Sequence, residues 1–425
     1  MSRKPILKIL FVLLSLSLAA SSRTFGQAPQ VESLSPASGP GDSSIEVTIR
    51  GRSFAEGATV ALLLKKQKHP LIVRSPQISK RVELLGNYTS LETEGFAKEL
   101  QLLDGLLYVA LESGLWVIDV RNPERPLSIG VTATDGTMWG FSISGNYAYL
   151  ATNEKGYRSG GLKIIDISDP ERPRVVGWDL FPKAVSQMDS SGPILFIATS
   201  GVQIMDVSDP LYPEIIAQLN RPENPGSIVV RGNYAYMGEA MRGGLYVADI
   251  RDPRHPSLVG YSREAGTVRD MALGGDMLYL AGWYPKGIRI MDVSDAVQPA
   301  LVGSYDRIDG QPRLFVRGGY LYAADEKSLK VLDVTKPRTP RLTAAYSIEK
   351  TFGVWVDERG YGYAAIGESG VRIIRLNDPV RDTHFTDSGT LRAVLPAGLL
   401  EGRYDIVVIN PNGEEGSLED AYGVE

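Results

Sequence analysis

The sequence predicts an all-β chain whose bulk is a seven-bladed β-propeller, on three observations. One unit repeats through the middle of the 425 residues, and its anchor position recurs at separations of 47, 40, 43, 43, 41 and 42 residues, the length of a four-stranded blade. The composition, with 45 Gly, 26 Pro and 20 Tyr, suits many short strands joined by turns. No helical period competes with the strand pattern inside the unit.

The chain opens with Arg3, Lys4 and Lys8, an apolar run from Ile9 to Ala20, and then Gly26-Gln27-Ala28. This is the pattern of a secretory signal peptide over residues 1–28, with cleavage after Ala28, and the run is too short to cross a bilayer as a helix. No later stretch is as apolar, so the mature chain is expected to have no transmembrane segment and to be secreted, periplasmic or at the cell surface. The net charge is −5 with both signs interspersed, and no basic stripe offers itself to nucleic acid or an anionic membrane. Cysteine is absent, which excludes disulfides, a lipoprotein anchor, a thiolate metal site and cysteine chemistry.

Residues 29–76 come next. Pro and Gly mark turns there, and Ile45-Glu46-Val47-Thr48-Ile49-Arg50-Gly51 alternates as a half-buried strand. The segment is too short to bury a core alone.

Residues 77–379 carry the repeat. Its first half reads Gly-x-Tyr-x-Tyr-apolar-Ala, with aromatic anchors at Tyr108, Tyr149, Phe196, Tyr236, Tyr279, Tyr322 and Tyr363. Its second half reads LWVIDVRNPERP, LKIIDISDPERP, VQIMDVSDPLYP, LYVADIRDPRHP, IRIMDVSDAVQP and LKVLDVTKPRTP, with a degenerate seventh copy, VRIIRLNDP. The anchors are Asp119, Asp166, Asp206, Asp249, Asp292, Asp333 and, in place of the acid, Arg375. Each unit thus holds four strands, and apolar residues on both sides of the third, as in Ile288, Ile290, Met291 and Val293, call for burial between two neighbouring blades. A closed ring meets that demand and protects the sheet edges. The seventh unit lacks its last strand. Residues 82–88 look like such a strand, so they are expected to complete the last blade by pairing with residues 371–376. These units resemble the LVIVD repeat family of bacterial propellers, a resemblance that spans roughly residues 80–379 and implies the fold rather than a biochemistry.

Residues 380–425 close the chain. The N-terminal Ser35, Pro36, Gly39, Pro40, Gly51 and Phe54 resemble the opening of an IPT/TIG domain, an immunoglobulin-like sandwich. Pro396, Gly402, Tyr404, Val407, Asn410, Pro411, Gly413 and Tyr422 resemble its closing strands. The resemblance implies one discontinuous immunoglobulin-like β-sandwich with the propeller inserted between its halves, which suits a ring whose ends meet.

The chemistry is sparse. Seven near-identical copies of the anchor Asp point to a turn-building role, the carboxylate accepting backbone N–H groups of the Ser-Asp-Pro turn that follows. Only His69, His255 and His384 are present, scattered, so no histidine metal site is expected. Gly140-Phe141-Ser142-Ile143-Ser144 lacks the second glycine of a nucleophile elbow and reads as an inner strand. Asp306 to Gly310 is too sparse for a calcium loop. No catalytic group, metal or cofactor is assigned.

Aligning the units on their aromatic anchors places Leu100, Phe141, Met188, Ile228, Met271, Leu314 and Trp355 in one apolar column, expected between blades. The preceding column holds Glu99, Gly140, Gln187, Ser227, Asp270, Arg313 and Val354 and is expected to line the central channel. Its variety makes the channel mouth the candidate ligand site, through Glu99, Gln187, Asp270 and Arg313. Trp283, Tyr284 and Tyr157, in longer turns, could stack on a sugar or a protein. Three functions stay open. The first is an extracellular binding or scaffold protein for a protein or polysaccharide; the second is a lyase or hydrolase at the channel mouth; the third is a structural subunit of a surface assembly.

Overall fold

The computed structural model describes residues 27–424, except 41–42, 68–70, 74–76, 85–86, 95, 113, 135, 154–159, 182–183, 349, 377–380, 396–398, 400–401 and 411–413. Most of the signal segment, His69 and Tyr157 therefore lie outside the described residues. Secondary structure is almost wholly strand, with one short 3-10 turn at Arg263–Ala265.

Six consecutive units each form an antiparallel four-stranded sheet: residues 97–133, 137–181, 187–219, 225–262, 270–305 and 313–347. The seventh sheet takes Gly353–Val356, Tyr361–Ala365 and Val371–Arg375 from the last unit. The first strand of each sheet lies beside the first strand of the next, and that of the seventh lies beside that of the first, so the ring closes. The second and third strands are buried along nearly their whole length, as in Leu106–Leu111 and Gly114–Asp119, because both faces pack on neighbouring blades. The outermost strands, such as Leu127–Ala133, keep one side in solvent. The result is a seven-bladed propeller.

The anchor carboxylates build turns as their repetition implied. Oδ1 of Asp119, Asp166, Asp206, Asp249, Asp292 and Asp333 each accepts the N–H two residues on, at 2.9–3.0 Å. A second turn follows in five copies, where Asn122, Asp169, Asp209, Asp252 or Asp295 does the same two residues further.

The seventh blade corrects the expected closure. Its missing strand is Leu71–Val73, antiparallel to Val371–Ile373. Residues 82–84 and 87–88 belong instead to the antiparallel pair of Gln77–Leu84 with Asn87–Glu94, and residues 85–86 lie outside the described residues. A strand whose partner follows after two residues closes with far less entropy loss than one that must reach across the ring. An N-terminal segment does complete the last blade, but a different one.

The two ends of the chain pair with each other. One sheet runs in the order 30–35, 45–52, 390–395, 381–387; the other runs 38–39, 415–424, 402–409, 59–67 and continues, by a parallel pairing of Leu62–Leu64 with Ala344–Tyr346, into the outer strand of blade six. Val47, Ile49, Leu62, Leu391, Ala393, Tyr404, Ile406 and Tyr422 share one core, which extends into Leu329 and Tyr346 of blade six. Gly51 is required there, because a Cβ would fall 1.9 Å from the Gln30 carbonyl oxygen. Asn410 ties the two ends, donating to the Ser53 carbonyl at 2.8 Å and accepting from the Ala55 N–H at 3.0 Å.

Candidate functional site

The first strand of every blade is an edge strand facing the channel, so its outward N–H groups need partners from outside the sheet. Side chains on the preceding blade supply them. Gln101 Oε1 accepts from the Ile143 N–H at 3.1 Å, Gln187 Oε1 from Ile228 at 2.9 Å, Asp189 Oδ2 from Val230 at 2.8 Å, and Asp270 Oδ2 from Leu314 at 2.7 Å. These bonds stitch blade one to two, three to four, and five to six. Where blade two meets blade three, Gly140 lets the backbones touch: a Cβ there would lie 2.9 Å from the Met188 nitrogen.

The apolar column is buried between blades as expected at Leu100, Phe141, Met188, Ile228, Met271 and Leu314. Blade seven departs from the alignment by one residue. Val354 pairs with Ala364 as Leu100 pairs with Val109, while Gly353 occupies the position of Glu99. The turn after Val356 is one residue longer than in the other blades, and a shift of one residue moves every side chain to the other face. Hence Val354 belongs to the core. Trp355, half-buried, packs against the core between blades seven and one and on Phe315, with ring centroids 4.8 Å apart. Ser227 is also fully buried rather than channel-lining; Gly226, at an irregularity in the strand register, lines the mouth in its place.

The four predicted site residues do converge. Glu99, Gln187, Asp270 and Arg313 line one cavity of about 400 Å³ at the channel mouth. Two of them have structural employment, Gln187 and Asp270, through the bonds above. Arg313 lies 3.7 Å from Asp270 Oδ1 and stays partly exposed. Glu99 makes no hydrogen bond or ion pair within the described residues. Its carboxyl retains some exposure to the channel but is surrounded by protein, and that desolvation, only partly offset by Arg313 and reinforced by the charges of Asp270 and Asp189, pushes its pKa up to about 7. Asp189, deeper in the channel, is pushed up to about 6 by burial against the opposing pull of its backbone hydrogen bonds. Burial raises Asp270 as well.

Sequence reasoning missed the rim. Three cations there lie against aromatic rings: Lys98 is 5.2 Å from the centre of Trp139, Arg269 4.2 Å from Trp283, and Lys350 5.6 Å from Phe352. Lys98 and Trp139 occupy register irregularities in the first strands of blades one and two, which turn an extra side chain toward the mouth. The signal was present as a cation or an aromatic directly before the channel position in three units, at Lys98, Trp139 and Arg269, but a gapless column hides it. Trp283 and Tyr284 are exposed on the same face, held by the Thr267 hydroxyl, which accepts from both of their N–H groups at 2.9 and 2.8 Å. Among the described residues no group of His, Cys, Asp and Glu is arranged to hold a metal ion. His255 is exposed and paired with Asp252 at 2.8 Å inside its repeat turn.

Comparison with known proteins agrees with this architecture. The LVIVD repeat is matched at residues 94–134, 135–178, 224–262, 265–307 and 312–347, so the chain carries LVIVD repeats in five of its seven blades. No curated protein sequence matches the chain. Among solved structures, the β-propeller domain of Cps50 (Swd1) from Myceliophteria thermophila is similar with a TM-score of 0.54 at 14% identity, covering 70% of this chain and 100% of that one. The WD40 β-propeller domain of Doa1 has a TM-score of 0.53 at 8% identity, covering 75% and 97%. A chain of hydrazine synthase from Kuenenia stuttgartiensis has a TM-score of 0.55 at 13% identity, covering 69% and 99%. At such identities the likeness is one of fold alone.

Proposed function

We propose that this is an exported, non-enzymatic binding protein whose ligand site is the channel mouth of the propeller. One observation carries the proposal: the blades converge on a cavity lined by Glu99, Arg269, Arg313, Lys350, Trp139 and Phe352, with Trp283 exposed beside it, and Glu99, Arg269 and Lys350 have no ion-pair partner among the described residues. The N-terminal sequence supports export, and partners are accordingly an extracellular protein or polysaccharide. The paired chain ends support a split IPT/TIG-like, immunoglobulin-like domain that displays the propeller, since both halves of that resemblance contribute strands to one core.

The test is retention of the purified mature protein on envelope and secreted material of the native cells, comparing the parent with Trp139→Ala and Arg313→Ala. Retention at least tenfold weaker in both variants, with unchanged thermal transitions, is expected. Retention indifferent to both places the binding surface elsewhere.

The second reading, an enzyme, draws on the Glu99 carboxyl near neutrality beside Arg313, the pairing a proton-abstracting site would use. It expects turnover of an acidic polysaccharide that Glu99→Gln abolishes. Binding without any change in the polysaccharide's chain length sets it aside.

A further inference from the structure

The charges at the mouth are unevenly spent. Asp270 holds the Leu314 N–H and Arg313. Asp325 is committed to Lys330 at 2.8 Å and to the N–H groups of Lys327 and Ser328. On the other side, Arg269 and Lys350 have no carboxylate partner among the described residues, and the buried Arg269 Nε has no hydrogen-bond acceptor. Arg313 points a partly exposed guanidinium into the same cavity. Arg269, Arg313 and Lys350 thus converge on a space whose acids without an ion-pair partner among the described residues are Glu99, which titrates near neutrality, and the exposed Glu326.

We propose that the channel mouth binds an acidic saccharide, its carboxylates paired with Arg269, Arg313 and Lys350 and its ring faces laid against Trp139 and Trp283. This rests on the binding function proposed above and names its ligand class. The rings suit it: Trp139 and Trp283 are 40% and 49% exposed beside the cavity, and flat aromatic surface next to cations matches the apolar face and charged edge of a uronate. An extended acidic peptide is disfavoured by the channel's own architecture. It would need free strand edges to pair with, and Gln101, Gln187, Asp189 and Asp270 already cap the edge N–H groups. Binding is coupled to protons. The charged groups facing Glu99 are Arg313 on blade six, Asp270 on blade five and Asp189 on blade three, with Lys98 beside it on its own strand; blade seven approaches through Gly353, which carries no charge. An arriving carboxylate raises the cost of ionised Glu99, so binding takes up a proton and tightens as pH falls from 8 to 5.5.

The experiment is calorimetric titration of the full mature protein with oligogalacturonate, oligomannuronate and hyaluronan oligosaccharides, with methyl-esterified oligogalacturonate and poly-glutamate peptide alongside. At least one acidic saccharide is expected to bind, the ester at least tenfold more weakly than the free acid. Lys350→Gln, an exposed change that leaves the fold intact, and Arg269→Gln should each cost several-fold in affinity. Glu99→Gln should keep binding but lose the proton uptake, read as the dependence of binding heat on the buffer. Equal binding of ester and acid, binding of poly-glutamate alone, or failure of all three acidic saccharides overturns the proposal. If they fail while retention on envelope material still depends on Trp139 and Arg313, the ligand class falls and the binding site stands. If that retention is also indifferent, both fall.

Discussion

Glu99 and the turn carboxylates respond to acid in opposite directions, and together they set the stability profile. Glu99, raised from 4.5 to about 7, and Asp189, raised from 3.8 to about 6, hold protons more tightly folded than unfolded. Their contribution is therefore fully present below about pH 4 and is lost as pH rises through 6 to 7. Asp119, Asp166, Asp206, Asp249 and Asp292 are held below the usual carboxylate range, chiefly by the side-chain hydrogen bonds of the residue two positions on. Their contribution is present above about pH 4 and is lost as pH falls through their lowered values. The melting temperature should peak at mildly acidic pH and fall by several degrees between pH 5 and pH 8. Glu99→Gln should raise stability by ~1–3 kcal/mol at pH 8 and leave it nearly unchanged at pH 5. Calorimetry at the two pH values checks this, and a variant with the parent's slope would refute it.

At the scale of elements, the seventh blade is where repeat logic gives way to specific joints. The turn between its first two strands carries Asp357, a buried carboxylate that accepts from the Arg359 and Tyr361 N–H groups at 2.9 Å and from the Tyr363 hydroxyl at 3.0 Å. Arg359 pairs with it and reaches into blade one, donating to the Arg121 carbonyl at 2.7 Å and the Val120 carbonyl at 3.0 Å. Tyr361 adds a bond to Glu124 at 3.1 Å. This latch closes the ring where the chain itself does not continue. Arg359→Met strands the Asp357 charge and should cost about 2–4 kcal/mol, read by urea unfolding. The double change with Asp357→Asn should cost less than Arg359→Met alone, because the stranded charge is then gone. The insertion that makes room for the latch also shifted Val354 off the channel. A gapless alignment on Tyr363 cannot register it, since the extra residue lies between the two aligned strands.

For the whole molecule, the chain ends and the ring depend on each other. Strand 45–52 pairs with 390–395, and strand 59–67 lies between 402–409 and the outer strand of blade six. Removing residues 380–425 takes a partner from both and exposes Val47, Ile49, Leu62 and Leu64. The N-terminal strands should then lose amide-exchange protection, and the thermal transition should fall. Full protection of residues 45–52 in the shortened chain would show that the N-terminal piece stands alone. Blade six should also weaken, because the parallel strand now covering its edge would lose its other neighbour.

By itself the sequence determined the blades. Tyr and Asp anchors, two-sided apolar strands and Asx turns are local features, repeated often enough that each copy corrects the noise in the others. It also brought Glu99, Gln187, Asp270 and Arg313 to one cavity, because strand period and repeat length fix which residues face the channel. The tertiary structure alone decided which of them remain available. Whether Gln187 is a ligand group or a bond to Ile228 depends on the edge of a different blade, some forty residues away in the chain. The closing strand was decided the same way: residues 71–73 and 82–88 are both strand-like, and competition between a nearby hairpin partner and a distant blade edge chose between them.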